Sequence, residues 1–245
     1  MKTVLITGGA GGIGAALCTG FAREGCAVAV HYHTKKEKAE QLAACLAETY
    51  GVKTAAVQAD VSRSEDVKRL FDEADSALGS LDILVNNAGT AQQKLFTDIT
   101  DADWDAMVGT NLSGVFYCCR EALRRHMLPN HSGVILNISS MWGQVGASCE
   151  VHYSAVKAGV IGLTKALAKE VGLSGVRVNA IAPGVVMTEM MASFDSETLA
   201  ALREETPLNA LGTPGEIADA AVFLCSDRAK FITGQILGVN GGFII

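Results

Sequence analysis

Tyr153 and Lys157 stand four residues apart in the segment SCEVHYSAVKAG, residues 148–159. Residues at this spacing share one face of a helix, with their side chains about 5–6 Å apart, so a phenol and an ammonium would project into the same space. A phenol with the ordinary pKa of about 10 exchanges protons poorly near neutral pH, but a neighbouring ammonium favours its ionised form. In a desolvated pocket the pair could transfer protons, whereas on a wet helix surface it would be inert.

A glycine-rich turn, TGGAGGIG, occupies residues 7–14 after the first apolar run. Glycine is needed there where the backbone takes positive φ or where a pyrophosphate approaches, and the following helix N-terminus offers amides to phosphate. Such turns also occur without a ligand, but a strand before it and a helix after it favour dinucleotide binding. The turn therefore predicts a nucleotide cofactor site.

The second apolar run ends in HYHTKKEK, where a fold that binds NAD would usually place a carboxylate for the ribose hydroxyls. His33, Thr34, Lys35 and Lys36 stand there instead, and they offer donors and positive charge suited to a 2′-phosphate. The alternative is that the lysines are only a solvated helix start. The pattern favours NADP(H) over NAD.

These residues require a scaffold of short buried strands and covering helices. Apolar runs alternate with helical stretches along the chain, which is typical of a parallel sheet covered on both faces. We expect an α/β fold, a single doubly wound Rossmann-fold domain over residues 1–245 with about seven strands. The strand-like runs are 3–7, 27–32, 54–59, 81–86, 133–138, 176–182 and 235–239.

Three helix starts carry local signals. Ser62 with Glu65 and Thr100 with Asp103 have capping-box spacing, and Pro214 stands at a first helical position. These positions predict where the helices begin.

Composition excludes several classes of protein. The 245 residues carry a formal charge of −6 with no basic stripe, which argues against nucleic acid as a partner. No apolar segment is long enough to span a bilayer and the opening MKTVLITGG has no signal-peptide pattern, so we expect a cytoplasmic protein without a membrane partner. Seven cysteines without a C-x-x-C pair predict packing residues and no metal site.

The motifs together resemble the short-chain dehydrogenase/reductase family over essentially the whole chain. Besides the glycine turn, the sequence has DV at 60–61, NNAG at 86–89 and PG at 183–184. The resemblance implies cofactor contacts at Gly8, Gly12, Ile13, Gly14, His33, Thr34, Lys35, Asp60, Val61, Asn87, Ala88, Gly89, Tyr153, Lys157, Pro183, Gly184, Val186 and Thr188. It also implies a homotetramer.

Four residues fall at the positions of the family's catalytic tetrad: Asn111, Ser140, Tyr153 and Lys157. The resemblance implies that Tyr153 protonates a carbonyl oxygen as hydride reaches its carbon, while Ser140 hydrogen-bonds that oxygen. Lys157 would lower the pKa of Tyr153 and bind the nicotinamide ribose, and Asn111 would help to hold a proton-relay water. The spacing to Tyr153 selects Ser140 over the adjacent Ser139.

Two branches of the family share further features with the chain. The ending GQILGVNGG and the loop GVVMTEM resemble 3-oxoacyl-acyl-carrier-protein reductases, which implies a β-ketoacyl substrate on a carrier. However, His131 and Ser174 stand where those reductases commonly use basic residues to grip the acidic carrier. The possible replacements are Arg120, Arg124, Arg125 and Lys169. The stretch SMWGQVGASCEVHYS resembles elongation factor P 5-aminopentanone reductases instead.

Trp142, Gln144, Cys149 and Glu150 lie between Ser140 and Tyr153, where we expect the substrate pocket. Glu150 could pair with an amine-bearing substrate, or it could be an acidic residue that favours a helix start. Residues 189–212 correspond to the family's variable substrate lid. A non-catalytic nucleotide-binding protein with the same fold remains the alternative of another class.

Overall fold

The computed structural model describes residues 1–189, 191 and 195–245. Seven parallel strands form one sheet in the order β3-β2-β1-β4-β5-β6-β7, which confirms the predicted α/β doubly wound fold. The strands are β1 (Thr3–Ile6), β2 (Ala27–Tyr32), β3 (Thr54–Gln58), β4 (Ile83–Asn86), β5 (Gly133–Ile138), β6 (Val176–Pro183) and β7 (Ile236–Val239).

Helices cover both faces of this sheet because successive strand residues point to opposite sides. In β1, Val4 and Ile6 pack into one apolar cluster, while Leu5 packs into the other. The helices are α1 (Gly12–Arg23), α2 (Lys36–Tyr50), α3 (Ser64–Leu78), α4 (Asp101–Val108), α5 (Gly114–Ala122), α6 (Trp142–Val145), α7 (Val151–Val171), α8 (Ser196–Glu205) and α9 (Pro214–Cys225). Helices α1, α2 and α9 contribute to the first cluster and α3, α5 and α7 to the second.

Two of the predicted helix starts are confirmed. Capping boxes stand before α4, at Thr100 with Asp103, and before α9, at Thr213 with Pro214 following. The prediction at Ser62 was wrong, because α3 begins at Ser64 and the Ser62 hydroxyl donates instead to Asp60 Oδ1 over 2.7 Å. The Ser62 side chain is thus bonded within the turn at residues 60–62 and does not cap the helix.

Helices α4 and α5 run on as one continuous helix through a π-helical turn, Gly109–Ser113, and a second π turn follows at Leu123–Met127. Each π turn accommodates one extra residue in the helix, and such turns are frequent at functional sites. The first π turn contains Asn111.

The cysteines are free thiols, and five of the seven are buried: Cys18, Cys26, Cys118, Cys119 and Cys225. Burial raises the pKa of the Cys119 thiol to about 12, which keeps it protonated and unreactive. Among the described residues, no cluster of His, Cys, Asp and Glu could hold a metal ion. None of the helices in these ranges has both the length and the apolar character needed to cross a membrane.

Candidate active site

The residues predicted to do chemistry converge at the carboxyl ends of the central strands. The glycine turn leaves β1, the Asn87–Gly89 segment leaves β4, and Ser140 follows β5. Ligands of open α/β sheets bind at this edge, because the strand order reverses there and leaves a crevice. One parallel sheet therefore brings together residues that are up to about 150 positions apart in sequence.

Helix α7 carries Tyr153 and Lys157 on one face, as the spacing predicts. The Lys157 ammonium lies 5.6 Å from the centre of the Tyr153 ring, and Nζ donates to the carbonyl of Ile138 over 2.9 Å. Lys157 is only 5% exposed. The pair therefore lies in a desolvated setting and not on a wet helix surface.

Two serines after β5 have different partners. Ser139 is buried and its hydroxyl donates to the carbonyl of Lys157 over 2.9 Å, so it ties α7 to the sheet. Ser140 Oγ accepts the amide of Trp142 over 3.2 Å, and the Ser140 hydroxyl lies near the Tyr153 phenol, whose pKa it lowers. Of these two serines, Ser140 is the one whose hydroxyl lies near the phenol, and its catalytic role stays a prediction.

Burial dominates the proton affinities of this pair. It lowers the pKa of Lys157 to about 8, because a buried ammonium loses its hydration. It raises the pKa of Tyr153 above its ordinary value; the hydrogen bond with Ser140 opposes that rise and the Glu150 charge adds to it. The expected lowering of the Tyr153 pKa by Lys157 is not seen, since the ammonium faces the ring and donates to Ile138.

Asn111 is fully buried in the first π turn. Its amide donates to the carbonyl of Met107 over 3.1 Å, and its Oδ1 accepts the amide of Thr90 over 3.2 Å. A Cβ at Gly89 would stand 2.6 Å from Asn111 Oδ1 and 3.5 Å from Lys157 Nζ. The absence of a side chain at Gly89 therefore leaves room for Asn111 and Lys157 to approach one another.

The glycine turn fits a dinucleotide. Gly8 and Gly12 both take positive φ, and a Cβ at Gly14 would overlap the carbonyl oxygen of Gly8. Helix α1 starts from Gly11 without a side-chain cap and without an acidic residue in its first turn. Its first amides remain free of side-chain partners, as a pyrophosphate requires. Ile13 packs partly buried against the core beneath.

Side chains of three residues hold this turn: His31, Thr7 and Asn87. His31 was not predicted to be part of the site. The amide of Gly8 donates to Nδ1 of His31 over 2.9 Å, while His31 Nε2 contacts the carbonyl of Ala59 at 3.1 Å. Burial lowers the pKa of His31 to about 4, so the ring is neutral and can accept that amide. A lone histidine in an apolar strand gives no sequence signal for this role.

Asn87 joins the end of β4 to the same turn. Its side-chain amide donates to the carbonyls of Thr7 at 2.9 Å and Gly8 at 3.2 Å. The hydroxyl of Thr7 accepts the amides of Asn87 and Ala88. The NNAG motif thus sets the position of the turn through main-chain contacts.

At the end of β2, the predicted residues His33, Thr34 and Lys35 are all exposed. Lys35 Nζ lies over the turn, 3.4 Å from where a Cβ of Gly11 would be. Lys36 points elsewhere, toward Glu40 at 3.7 Å. Helical phase accounts for this difference, because Lys35 and the following Lys38 are three residues apart and share a face.

Lys35 and Lys38 converge on one carboxylate, that of Glu189. Glu189 Oε2 is 3.1 Å from Lys35 Nζ, and Oε1 is 2.7 Å from Lys38 Nζ. Both ammonium groups lower the pKa of the Glu189 carboxyl, which is therefore ionised. Neither Lys38 nor Glu189 was predicted for this end of the site.

The remaining predicted cofactor positions surround the crevice. Asp60 accepts the amide and hydroxyl of Ser62, at 3.0 and 2.7 Å, and Val61 is buried beside it. On the opposite side, Thr188 packs against Gly12: a Cβ there would lie 3.3 Å from Thr188 Cγ2. The Thr188 contact places the segment after β6 against the glycine turn, and the Asp60 contacts fix the local turn after β3.

The loop after β6 is fixed at its base. Strand β6 ends at Pro183, and a Cβ at Gly184 would lie 2.7 Å from Asn240 Cα. Val186 forms an isolated parallel bridge with Gly212. The predicted lid thus has paired ends, although Met190 and residues 192–194 within it lie outside the described residues.

On the substrate side, Trp142 is half-buried and packs edge-on against Phe243, with ring centres 5.9 Å apart. Gln144 is exposed. Cys149 takes a left-handed backbone, φ 61°, and its carbonyl accepts the amide of Lys94 over 2.7 Å. Cys149 therefore holds the loop after β4 through its backbone carbonyl, and its place in a substrate pocket stays a prediction.

Glu150 is half-buried at the start of α7. Its Oε1 accepts the amide of Gln93 over 3.2 Å, and it forms no ion pair with any residue that the structure describes. The loop after β4 that carries Gln93 was not predicted to reach the pocket. An unneutralised carboxylate thus stands about one turn before Tyr153.

Fold and site together define an oxidoreductase that binds a nucleotide cofactor. A family model described as enoyl-(acyl carrier protein) reductase matches residues 8–244. The chain belongs to the short-chain dehydrogenase/reductase family, whose members use a nicotinamide cofactor.

Similar proteins cover nearly the whole chain. The 3-oxoacyl-[acyl-carrier-protein] reductase FabG of Staphylococcus aureus strain Mu50 is 42% identical over 241 residues, 98% of this chain and 97% of that protein. The uncharacterized oxidoreductase YmfI of Bacillus subtilis is 41% identical over 242 residues, 99% and 98% of the two chains. The crystal structure of a short-chain alcohol dehydrogenase candidate from Sinorhizobium meliloti 1021 superposes with a TM-score of 0.93 at 38% identity, covering 99% of this chain and 96% of that one.

Proposed function

We propose that the protein is an NADPH-dependent carbonyl reductase that converts a 3-oxoacyl thioester to the 3-hydroxyacyl form. The observation that carries the proposal is the half-buried Tyr153 beside the buried Lys157, with Ser140 next to the phenol, at the strand edge that also holds the glycine turn. The similarity to FabG supports the thioester class of substrate.

When bound, the nicotinamide supplies the hydride. The Ser140 hydroxyl donates to the substrate carbonyl oxygen, and Tyr153 gives its proton to that oxygen as negative charge develops. A raised pKa suits Tyr153 to this direction, because the phenol stays protonated until the oxygen needs it. Lys157 binds the nicotinamide ribose, and buried Asn111 supports the proton path to solvent.

The choice of NADPH rests on charge at the end of β2. Lys35 Nζ lies over the glycine turn, Lys38 contacts the same Glu189 carboxylate as Lys35, and no carboxylate follows β2 directly. A 2′-phosphate carries more negative charge than a hydroxyl and pairs well with lysine. We therefore expect NADPH to bind more tightly than NADH.

Carrier recognition is the least typical part of this proposal. Arg125 is already paired with Glu121 and Asp72, at 3.0 and 2.6 Å. Arg124 and Lys169 form no ion pair with the described residues, so they are the better replacements for the missing basic contacts. They would supply charge complementarity to an acidic carrier.

A second candidate function is reduction of the aminopentanone ketone on a modified lysine of elongation factor P. The observation that favours it is Glu150, a half-buried carboxylate without a basic partner among the described residues. A substrate ammonium would neutralise Glu150 beside Tyr153. A thioester without a positive charge would leave it unneutralised.

The experiment that separates these functions follows NADPH absorbance with three ketones. They are a free acetoacetyl thioester, the same group on acyl carrier protein, and elongation factor P that bears the aminopentanone. Faster turnover of the carrier-bound ester supports the first function, and selective turnover of the modified factor supports the second. NADPH binding without turnover of any ketone would identify a non-catalytic nucleotide-binding protein.

Tyr153→Phe tests the mechanism. Removing the phenol hydroxyl takes away the proton donor, so we expect kcat to fall about 10³-fold, within the range for general acid catalysis. NADPH affinity, measured by calorimetry, should stay within about twofold because the ring remains. Retained turnover would contradict the assigned acid.

We also propose a cytoplasmic homotetramer. Phe116 on α5 and Val151 on α7 are large apolar side chains that are 47% and 39% exposed. Such faces favour packing between copies of a chain. Light scattering that gives the mass of one chain would contradict this assembly.

A further inference from the structure

We infer that Glu189 is a built-in competitor for the cofactor's 2′-phosphate and sets how strongly the enzyme prefers NADPH over NADH. The inference rests on the proposed use of NADPH. Its basis is that one carboxylate engages both Lys35, which lies over the glycine turn, and the neighbouring Lys38, at 3.1 and 2.7 Å.

The contact lies at the cofactor crevice and not on a remote surface. Lys35 Nζ lies 3.4 Å from a Cβ built on Gly11, immediately before α1. The residue before Glu189, Thr188, lies against Gly12 at 3.3 Å from its built Cβ. Residues 188 and 189 thus come from the far side of the crevice to the lysines at the end of β2.

A carboxylate and a phosphate require the same donors. A phosphate monoester carries about −1.5 to −2 charges at neutral pH and accepts from ammonium groups as a carboxylate does. When a 2′-phosphate binds Lys35 and Lys38, the Glu189 pairs must be broken, or two anions must share the site. Either way, Glu189 weakens phosphate binding.

The effect should be selective and modest. NADH has a 2′-hydroxyl, which does not displace the carboxylate, so its affinity should depend little on Glu189. The side chains of Lys35, Lys38 and Glu189 are 51%, 54% and 63% exposed. Exposed pairs of this kind are each worth a factor of about 1.5–5, so their joint effect should be about 3- to 10-fold.

Glu189→Gln tests the inference by calorimetry, without turnover. The probes are 2′,5′-ADP, which carries the 2′-phosphate, and AMP, which lacks it. We expect Glu189→Gln to tighten 2′,5′-ADP about 3- to 10-fold and to change AMP less than about twofold. The gain should shrink as potassium chloride is raised, because exposed charges are screened.

Glu204→Gln is the matched control. Glu204 is exposed on α8, forms no ion pair with the described residues, and loses the same charge on substitution. It should leave the ratio of the two affinities unchanged. The gain should also disappear when Glu189→Gln is combined with Lys35→Gln and Lys38→Gln.

Three outcomes would overturn the inference. An unchanged ratio in Glu189→Gln would make the carboxylate a mere surface partner. Equal weakening of both probes would make it a loop anchor. If the wild-type protein binds 2′,5′-ADP no better than AMP, the NADPH preference fails as well, so the two failures are distinguishable.

Discussion

The cofactor end and the substrate end of this crevice are built in different ways. At the cofactor end, backbone groups form hydrogen bonds with side chains. The Gly8 amide donates to His31 Nδ1, and the Asn87 side-chain amide donates to the Thr7 carbonyl. At the substrate end, Gln144 is exposed and α8 has no buried residue. The first end is fixed by packing, whereas the second is formed by half-buried and exposed side chains.

This difference shows which substitutions each end tolerates. A site built from closely packed backbone groups tolerates few substitutions, because an added Cβ or a displaced carbonyl would block it. A surface-exposed wall can change side chains at little cost in stability. We therefore expect the chemistry of hydride transfer to be robust in this scaffold and substrate choice to be the adaptable property.

Gly14→Ala should break the cofactor end. Its Cβ would overlap the Gly8 carbonyl oxygen and crowd Asn87 Nδ2 at 2.8 Å, so the turn must move. We expect NADPH affinity to fall about 100-fold, since small displacements of a positioned group have effects of this size, and stability to fall by about 1–3 kcal/mol. Calorimetry and urea denaturation measure both.

Gly162→Ala is the control for that substitution. Gly162 also lies within a helix, α7, but a Cβ there meets nothing within 4 Å. Alanine should leave cofactor affinity unchanged and raise stability by up to about 1 kcal/mol through helix propensity. Equal effects of the two substitutions would show that the cradle is not the cause.

Lys157→Met sharpens the comparison at the point where the two ends meet. Burial lowers the Lys157 pKa from 10.5 to about 8, so the unfolded chain binds the extra proton between these values. Wild-type stability should therefore rise relative to Lys157→Met, by about 2–3 kcal/mol between pH 7 and pH 10.5. Urea denaturation across this range measures it. Parallel pH curves for the two proteins would contradict the buried charge.

Glu150→Gln probes the substrate end and should have the smallest effect. The Glu150 charge raises the pKa of Tyr153, so its removal should shift the alkaline limit of ketone reduction to lower pH. The KM of an ammonium-bearing ketone should rise about 2- to 5-fold, as for one exposed pair, and that of a neutral ketone should not change. Glu170→Gln, an exposed carboxylate on the same helix, should alter neither property.

The cofactor end was the more predictable of the two from sequence. The strand at 133–138 and the glycine turn follow from apolar runs and obligatory glycines, which are local signals. His31 could not be predicted as an acceptor, because its role depends on a neighbouring strand. The Glu189 contact was also hidden, since its partner Lys38 is 151 residues away.

Some of the missed features did carry a signal. Lys35 and Lys38 share a helical face that excludes Lys36, so helical phase alone could have separated the two lysines that contact Glu189 from Lys36. The loop that carries Gln93 gave no such sequence signal, because its approach to Glu150 depends on tertiary packing.

The π turn around Asn111 makes the length of this helix a matter of function. Each residue rotates an α-helix by about 100°. Deleting one residue from 109–113 would therefore rotate either α5 or the Asn111 side chain away from its present position. Relatives and engineered variants should therefore keep the residue count of this segment constant, even where they change its letters. Insertions should accumulate around α8, because this helix has no buried residue whose packing would fix the length of the segment.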